Sequence, residues 1–242
     1  NLIINNKTSY RKIKKNKISN KIKIYNNFEC FKEIFKKKID YTMSSISGIE
    51  GLKPTIEIIK YTKSVAIANK EAIICGWNLI NKELKKNKTN FIPVDSEHFS
   101  IWYALKGIDK EIIDKIYLTA SGGPFLNYPK KKFNKIKIKQ AVKHPNWKMG
   151  KKISIDSATM MNKVFEIIEA KKIFDLNEKI FDILINPNSY IHAIVHFNTG
   201  LTKFLAHETT MEIPIINSLY AKNEKFVYNK KELQYKKFNK IK

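Results

Sequence analysis

The sequence predicts an α/β chain whose first part builds a parallel sheet. Two observations carry this. Between residues 41 and 94, short apolar runs of strand length alternate with longer segments whose apolar residues recur at helical spacing, the pattern of βαβ units. Beyond residue 116 the alternation gives way to closely spaced strands and a hairpin signal, which predicts a second, α+β part.

Residues 1–20 carry no clear period, and residues 21–25 alternate like a short strand. Residues 28–38, with Phe31, Ile34 and Phe35 on one face, read as an amphipathic helix. Residues 41–46 read as a strand, 48–51 as a turn, and 52–61 as a helix with Pro54 tolerated in its first turn. Residues 64–68 (Ser-Val-Ala-Ile-Ala) form a short buried strand, 71–86 a helix and 90–94 a further strand. Residues 116–120 form a strand leading into Ser121-Gly122-Gly123-Pro124. A Lys-rich stretch then ends at His144-Pro145-Asn146-Trp147. Asp156-Ser157 precedes a helical pattern running to about Phe174. Residues 181–185, 191–197 and 201–207 read as strands, the last two paired across Asn198-Thr199-Gly200. There is no internal repeat, and the polar tail from Asn223 is expected to be poorly ordered.

Composition narrows the function classes. With 43% hydrophobic and 12% aromatic residues the chain can bury a core. It has no apolar run long enough to cross a bilayer and no signal-peptide pattern, so no membrane partner is expected. The absence of an initiator Met suggests that the chain starts mid-protein. Two isolated cysteines, Cys30 and Cys75, fit a reducing compartment. The net charge of +24 raises the alternative of a basic nucleic-acid-binding protein. However, Arg11 is the only arginine, and the lysines are spread along the chain beside abundant Asn and Ile. This reads as a bias on solvated faces, so no nucleic-acid partner is expected, although the Lys-rich segments 11–23 and 130–139 keep that alternative open.

In open parallel sheets, ligands bind beyond the carboxyl ends of the strands. Asn69-Lys70-Glu71 and Asp95-Ser96-Glu97 stand at such ends. On an extended segment the carboxylates of Asp95 and Glu97 face one way, and their repulsion calls for a shared proton or a cation, for which such hard oxygens suit Mg²⁺ or Mn²⁺. On spacing alone the competing reading, a helix N-cap, is the stronger. Helical spacing puts Asn162, Lys163 and Glu166 on one face, where a solvated face is the competing reading. Ser121 with its glycines, and Ser157 at the expected start of a helix, suggest an anion pocket together with Asn162 and Lys163. Trp147 reads as a core anchor or a mobile cover, and His192, His196 and His207 as structural.

Five segments, in order, resemble the 1-deoxy-D-xylulose 5-phosphate reductoisomerase family. They are Ala66-Ile67-Ala68-Asn69-Lys70-Glu71, Pro93-Val94-Asp95-Ser96-Glu97-His98, Leu118-Thr119-Ala120-Ser121-Gly122-Gly123-Pro124-Phe125, His144-Pro145-Asn146-Trp147-Lys148-Met149-Gly150, and residues 153–163. The resemblance spans residues 43–214. It implies a partial Rossmann-like NADPH-binding domain over residues 1–93 and a catalytic domain over 94–242. It implies an oxidoreductase that rearranges 1-deoxy-D-xylulose 5-phosphate and reduces the product with NADPH to 2-C-methyl-D-erythritol 4-phosphate. Asp95, Glu97 and Glu166 would ligate Mg²⁺ or Mn²⁺, with Lys70 beside them at the reacting sugar. Ser121, His144, Ser157, Asn162 and Lys163 would hold the phosphate, Lys70 and Ser96 the sugar, and Trp147 would close over it on a flap spanning 121–150. Asn69, Glu71 and Gly150 would touch the cofactor. The family also implies a homodimer in a bacterial cytoplasm, or in a plastid-type organelle.

The departures are equally specific. No Gly-rich turn precedes Met43 and no C-terminal helical domain follows, so a fragment truncated at both ends is expected, one that binds metal and sugar phosphate weakly and reduces poorly. An inactive truncated relative is the remaining alternative. Asn186-Pro187-Asn188-Ser189 stands where the family usually has His-Pro-Gln-Ser, and Val164 stands where it usually has Gly.

Overall fold

The computed structural model describes residues 1–15, 22–147, 149–221 and 227. Part of the Lys-rich segment 11–23, Lys148, and the tail from Asn223 except Val227 lie outside the described residues. The chain divides into two compact units, residues 1–91 and 92–242. Among the described residues no helix is long and apolar enough to cross a membrane.

The first unit opens with β1 (Leu2–Ile3), α1 (Lys7–Lys14) and β2 (Ile24–Tyr25), the two strands paired in parallel with Leu2 opposite Ile24. No period stands out in the first 20 residues because the apolar stripe of α1 is only Tyr10 and Ile13, half-buried and one turn apart, on a short and otherwise polar helix. Its start is set by Asn6, whose side chain accepts from Ser9 N at 2.9 Å. The helix expected over 28–38 shrinks to a 3₁₀ turn and the single turn α2 (Phe31–Ile34). Phe35 turns extended instead, and its ring joins Phe31 and Tyr61 at centroid distances of 5.8 and 5.9 Å. Aromatic packing wins over helix propagation into the lysines that follow.

β3 (Thr42–Ser44), α3 (Leu52–Ile59), β4 (Ser64–Ile67), α4 (Lys70–Asn87) and β5 (Asn90–Pro93) follow, with strand order β3-β4-β5. β3 and β4 are parallel, Met43 facing Ala66. All four residues of β4 are buried, which is why that strand reads as a continuous small apolar run. α3 lies against α4 at Gly76, where an added Cβ would come within 2.3 Å of the Leu52 side chain. α4 stops at Lys88, which adopts the left-handed conformation and returns its N–H to Leu84 and Lys85 carbonyls.

The second unit contains α5 (Ser96–Ala104), β6 (Ile113–Ala120), α6 (Ile138–Ala141), α7 (Lys151–Ala158), α8 (Met161–Phe174), β7 (Phe181–Ile185), β8 (Ile191–Phe197), β9 (Thr202–Ala206) and α9 (Glu212–Leu219). Its sheet runs β7-β6-β8-β9. β7 is parallel to β6, whereas β8 is antiparallel to β6 and to β9, and the last two form the expected hairpin. α5 and α8 lie on the sheet, α5 against β8 and β9, α8 against β6. Ile101 of α5 and Ala170 of α8 meet Ile116, Leu118, Ala193 and Val195 in the core. That shared burial fixes the two helices relative to each other, and both carry site residues.

Candidate functional site

Asp95 stands at the N-cap position of α5, yet its side chain makes no cap hydrogen bond. The cap reading therefore does not account for this carboxylate. Glu97 lies in the first turn of α5, and Glu166 on α8 is 1% exposed. One oxygen of each comes within 4.8 Å of the other two. Lys163, one helical turn before Glu166, lies between them. Its ammonium donates to Glu97 Oε1 at 2.5 Å and to Thr119 O at 2.6 Å, and it pairs with Glu166 Oε2 at 2.5 Å. Burial alone would strip its proton, but the Glu166 and Glu97 carboxylates outweigh burial and hold its pKa above the ordinary value. Asn162 donates to the other Glu166 oxygen, and Ser96 donates to Glu97 Oε2 at 2.5 Å.

This donor set suits a divalent ion. Three carboxylates and one lysine leave two negative charges, and the oxygens are hard ligands. Behind them lies a buried layer that sequence reading did not assign. His98 is fully buried, its Nε2–H donating to the backbone carbonyl of Glu166 at 2.8 Å and its Nδ1 lying 3.5 Å from Glu169 Oε2. A side chain of α5 thus grips the backbone that carries the third carboxylate. The only sequence signal was that His98 and Glu169 fall on the faces that helical period turns inward.

The residues of the expected anion pocket stand after β6. A cleft of about 360 Å³ is lined by Ser121, Gly123, Pro124, Tyr128, Pro145 and Pro187, among others. Ser121 Oγ and His144 Nε2 are 3.0 Å apart, and burial lowers the His144 pKa below its usual value. One expectation is corrected here. Ser157 is not at a helix start: α7 begins at Lys151, and Ser157 is its penultimate residue, so no free helix N–H groups surround it. The break comes at Met160, which takes the left-handed conformation with φ 62° before α8 begins. What comes near the cleft is the Ser157 backbone, packed against Gly123. Gly123, at φ 68°, lies so close that an added Cβ would stand 2.8 Å from Ser157 O. Asn162 and Lys163 are engaged by the carboxylates rather than by the Ser121–His144 pair.

Trp147 is half-buried and meets His192 edge-on at 6.1 Å. His192 stacks on His207 with ring centroids 3.6 Å apart. Both rings have lowered pKa values, His192 strongly, through burial and then the His207 charge. Lys163 and Asp95 also act electrostatically on His192, and Glu97 on His207, so the ring pair stands within electrostatic reach of the carboxylates. Their adjacency depends on the β8–β9 register, which single-sequence reading does not supply.

The family model of 1-deoxy-D-xylulose 5-phosphate reductoisomerase matches residues 1–76, and that of its C-terminal domain matches residues 91–174. The 1-deoxy-D-xylulose 5-phosphate reductoisomerase of Pelagibacter ubique (strain HTCC1062) is 64% identical over 212 residues, which are 87% of this chain and 55% of that protein. The chain belongs to the 1-deoxy-D-xylulose 5-phosphate reductoisomerase family. The reductoisomerase of Wolbachia pipientis subsp. Culex pipiens is 41% identical over 217 residues, 89% of this chain and 55% of that protein. A crystal structure of DOX-P reductoisomerase in complex with NADPH, fosmidomycin and magnesium superposes on all of this chain and 62% of its own, with 32% identity and a TM-score of 0.86. The Zymomonas mobilis reductoisomerase in complex with NADPH gives the same TM-score at 31% identity, over 99% of this chain and 62% of its own. The chain spans about half the length of the curated reductoisomerases it matches.

The remaining site candidates of this reductoisomerase relative divide between the units. In the first unit Asn69 caps α4, accepting from Ala72 N at 2.8 Å. Its amide also donates to Gly48 O at 2.7 Å and to Ile46 O. Asn69 therefore ties the loop after β3 to the start of α4, at the carboxyl edge of the sheet. Lys70 and Glu71 form the first turn of α4, and Lys70 is buried. In the second unit Gly150 caps α7, with no atom within 4 Å of the position a Cβ would take.

Proposed function

We propose that this chain carries the metal and sugar-phosphate site of an NADPH-dependent reductoisomerase that converts 1-deoxy-D-xylulose 5-phosphate to 2-C-methyl-D-erythritol 4-phosphate. The observation that carries the reading is the cluster of Asp95, Glu97 and Glu166 within 4.8 Å, balanced by one buried lysine. Residues 1–93 take the NADPH-binding role, supported by the β3–β4–β5 sheet, in which β3 and β4 are parallel, and by the loop that Asn69 organises at the carboxyl ends of those strands. Residues 94–242 take the catalytic role. Asn69, Glu71 and Gly150 face the cofactor in this reading, and Lys70 and Ser96 the sugar.

When bound, the divalent ion polarises substrate oxygens through the rearrangement, and NADPH supplies the hydride. The chain's own residues do the rest. The Lys163 ammonium lies against Glu97 and Glu166 and offsets part of the charge that the three carboxylates bring together. His98 and the Asn162 amide fix the direction in which Glu166 presents its oxygens. Ser121, His144 and Ser157 receive the phosphate some distance from the reacting carbons, so binding energy there orients the sugar against the carboxylates. Trp147, seated on His192, covers the sugar and excludes water. The reading extends to a cytoplasmic homodimer; the exposed apolar Leu201 and Phe204, at 70% and 51% exposure on and beside edge strand β9, support a partner there.

The test is Glu97→Gln in the full-length parent protein, followed by NADPH oxidation with 1-deoxy-D-xylulose 5-phosphate across a Mg²⁺ or Mn²⁺ series. Turnover should fall by at least the roughly 10–100-fold that losing even an outer metal partner costs. Unchanged turnover at every metal concentration contradicts the assignment.

A further inference from the structure

Ser121 Oγ and His144 Nε2 are bonded, and the other side of the imidazole settles which atom donates. His144 Nδ1 faces two backbone N–H groups, those of Asn146 at 3.1 Å and Trp147 at 3.0 Å. A ring nitrogen that receives N–H donors holds no proton of its own. The single proton of the neutral ring is therefore on Nε2, which donates to Ser121 Oγ at 3.0 Å. Gly123 N–H donates to the same oxygen at 3.1 Å. A serine hydroxyl has two acceptor lone pairs and one proton. Both lone pairs are taken, and only the O–H remains to meet a ligand in the cleft.

The turn that presents the two N–H groups is itself fastened. Asn146 Nδ2 donates to Pro187 O at 2.6 Å and to Ser189 Oγ at 2.9 Å. Asn146 lines neither the carboxylates nor the Ser121 hydroxyl, so its part is to hold His144 Nδ1 against backbone donors. Burial lowers the His144 pKa, in keeping with a neutral ring.

We propose that this relay makes Ser121 a donor-only hydroxyl that selects an acceptor-only oxygen, that of a fully ionised phosphate monoester, and that Asn146 is the positioning residue that sets the relay's direction. The proposal rests on the reading of this cleft as the phosphate pocket, and it adds a residue and a proton arrangement to that reading. A protonated phosphate oxygen or a hydroxyl in the same place would still accept the serine proton, but its own proton would find no lone pair on Ser121.

The test uses the 242-residue chain labelled with ¹⁵N at histidine, five residues in all, with His144→Asn to assign the signal. Long-range ¹H–¹⁵N correlation distinguishes the two neutral tautomers. His144 should be the Nε2–H form in the wild type and in Ser121→Ala, because the Nδ1 side dictates it. Asn146→Ala should give an average of both tautomers and weaken binding of inorganic phosphate by about five-fold, the order expected for one neutral hydrogen bond. A simple structural contact at Asn146 would leave the tautomer unchanged. An Nδ1–H tautomer in the wild type, a flip caused by Ser121→Ala, or an Asn146→Ala spectrum like the wild type would each overturn the relay, even with phosphate binding intact. Failure of the wild-type chain to bind phosphate would overturn the ligand assignment together with the pocket reading.

Discussion

Removing the Lys163 ammonium is the most informative perturbation of the carboxylate cluster. In Lys163→Met the volume is nearly kept, while Glu97 and Glu166 lose the cation that lies 2.5 Å from each. Lys163 is 5% exposed and Glu166 1%, so water does not replace the lost partner. Removing one member of a buried pair costs about 3–5 kcal/mol, because a buried charge is left behind. For a chain of this size that lowers Tm by roughly 6–20 °C at ~2–4 °C per kcal/mol. The carboxylates can escape by taking a proton, so the loss should be smaller at pH 5 than at pH 8. A divalent ion should also restore stability, by about 2.7 kcal/mol at a hundred times its Kd. The assay is thermal unfolding of both chains in EDTA and in excess Mn²⁺. A variant as stable as the wild type in EDTA, or one that Mn²⁺ does not stabilise, refutes the charge balance argued for this site.

Three further outcomes follow from other parts of the site. His192 is neutral when folded, its pKa held well below the ordinary 6.5, so below about that pH the unfolded chain binds the extra proton. Stability is therefore complete above pH 6.5 and should be lost as the pH falls, by about 1.4 kcal/mol per pH unit for this one group; His192→Gln should flatten denaturation midpoints compared at pH 7.5 and 5.5, and parallel pH slopes would count against it. Gly123→Ala forces a Cβ to 2.8 Å from Ser157 O at a φ of 68°. It should destabilise by about 1–3 kcal/mol, measured by urea unfolding. Asp95→Asn should leave the stability in EDTA nearly unchanged, since the Asp95 side chain makes no cap hydrogen bond to lose and the substitution removes one of three mutually repelling charges; a large loss of stability would mean that the carboxylate is structural.

Much of the site was legible because its residues cluster in short segments at strand ends. Asp95 and Glu97 could be seen as a pair, and helical period alone aligned Asn162, Lys163 and Glu166. Spacing left cap or ligand open, and the proposed ligand reading draws its support from a long-range fact, the approach of α8 to α5 that brings Glu166 within 4.8 Å of Asp95 and Glu97. The same reason hides Lys163's role, since its carboxylate partner Glu97 is 66 residues away. His98, Glu169, His192 and His207 were missed for want of the register that brings them together. Local errors have local causes. The α7–α8 break depends on a left-handed Met160, a conformation that sequence signals normally reserve for Gly or Asn, so one helix was read where two exist. α1 escaped notice because its apolar stripe is only Tyr10 and Ile13, two residues on a short helix in a lysine-rich background.

The central claim is that Asp95, Glu97 and Glu166 form one divalent-cation site. Titration of the 242-residue chain with Mn²⁺, followed by EPR of the free ion, tests it directly. The account predicts one saturable site that weakens at least about tenfold in Asp95→Asn and in Glu166→Gln, with the fold intact by circular dichroism. Equal Mn²⁺ affinity in wild type and both variants would contradict it.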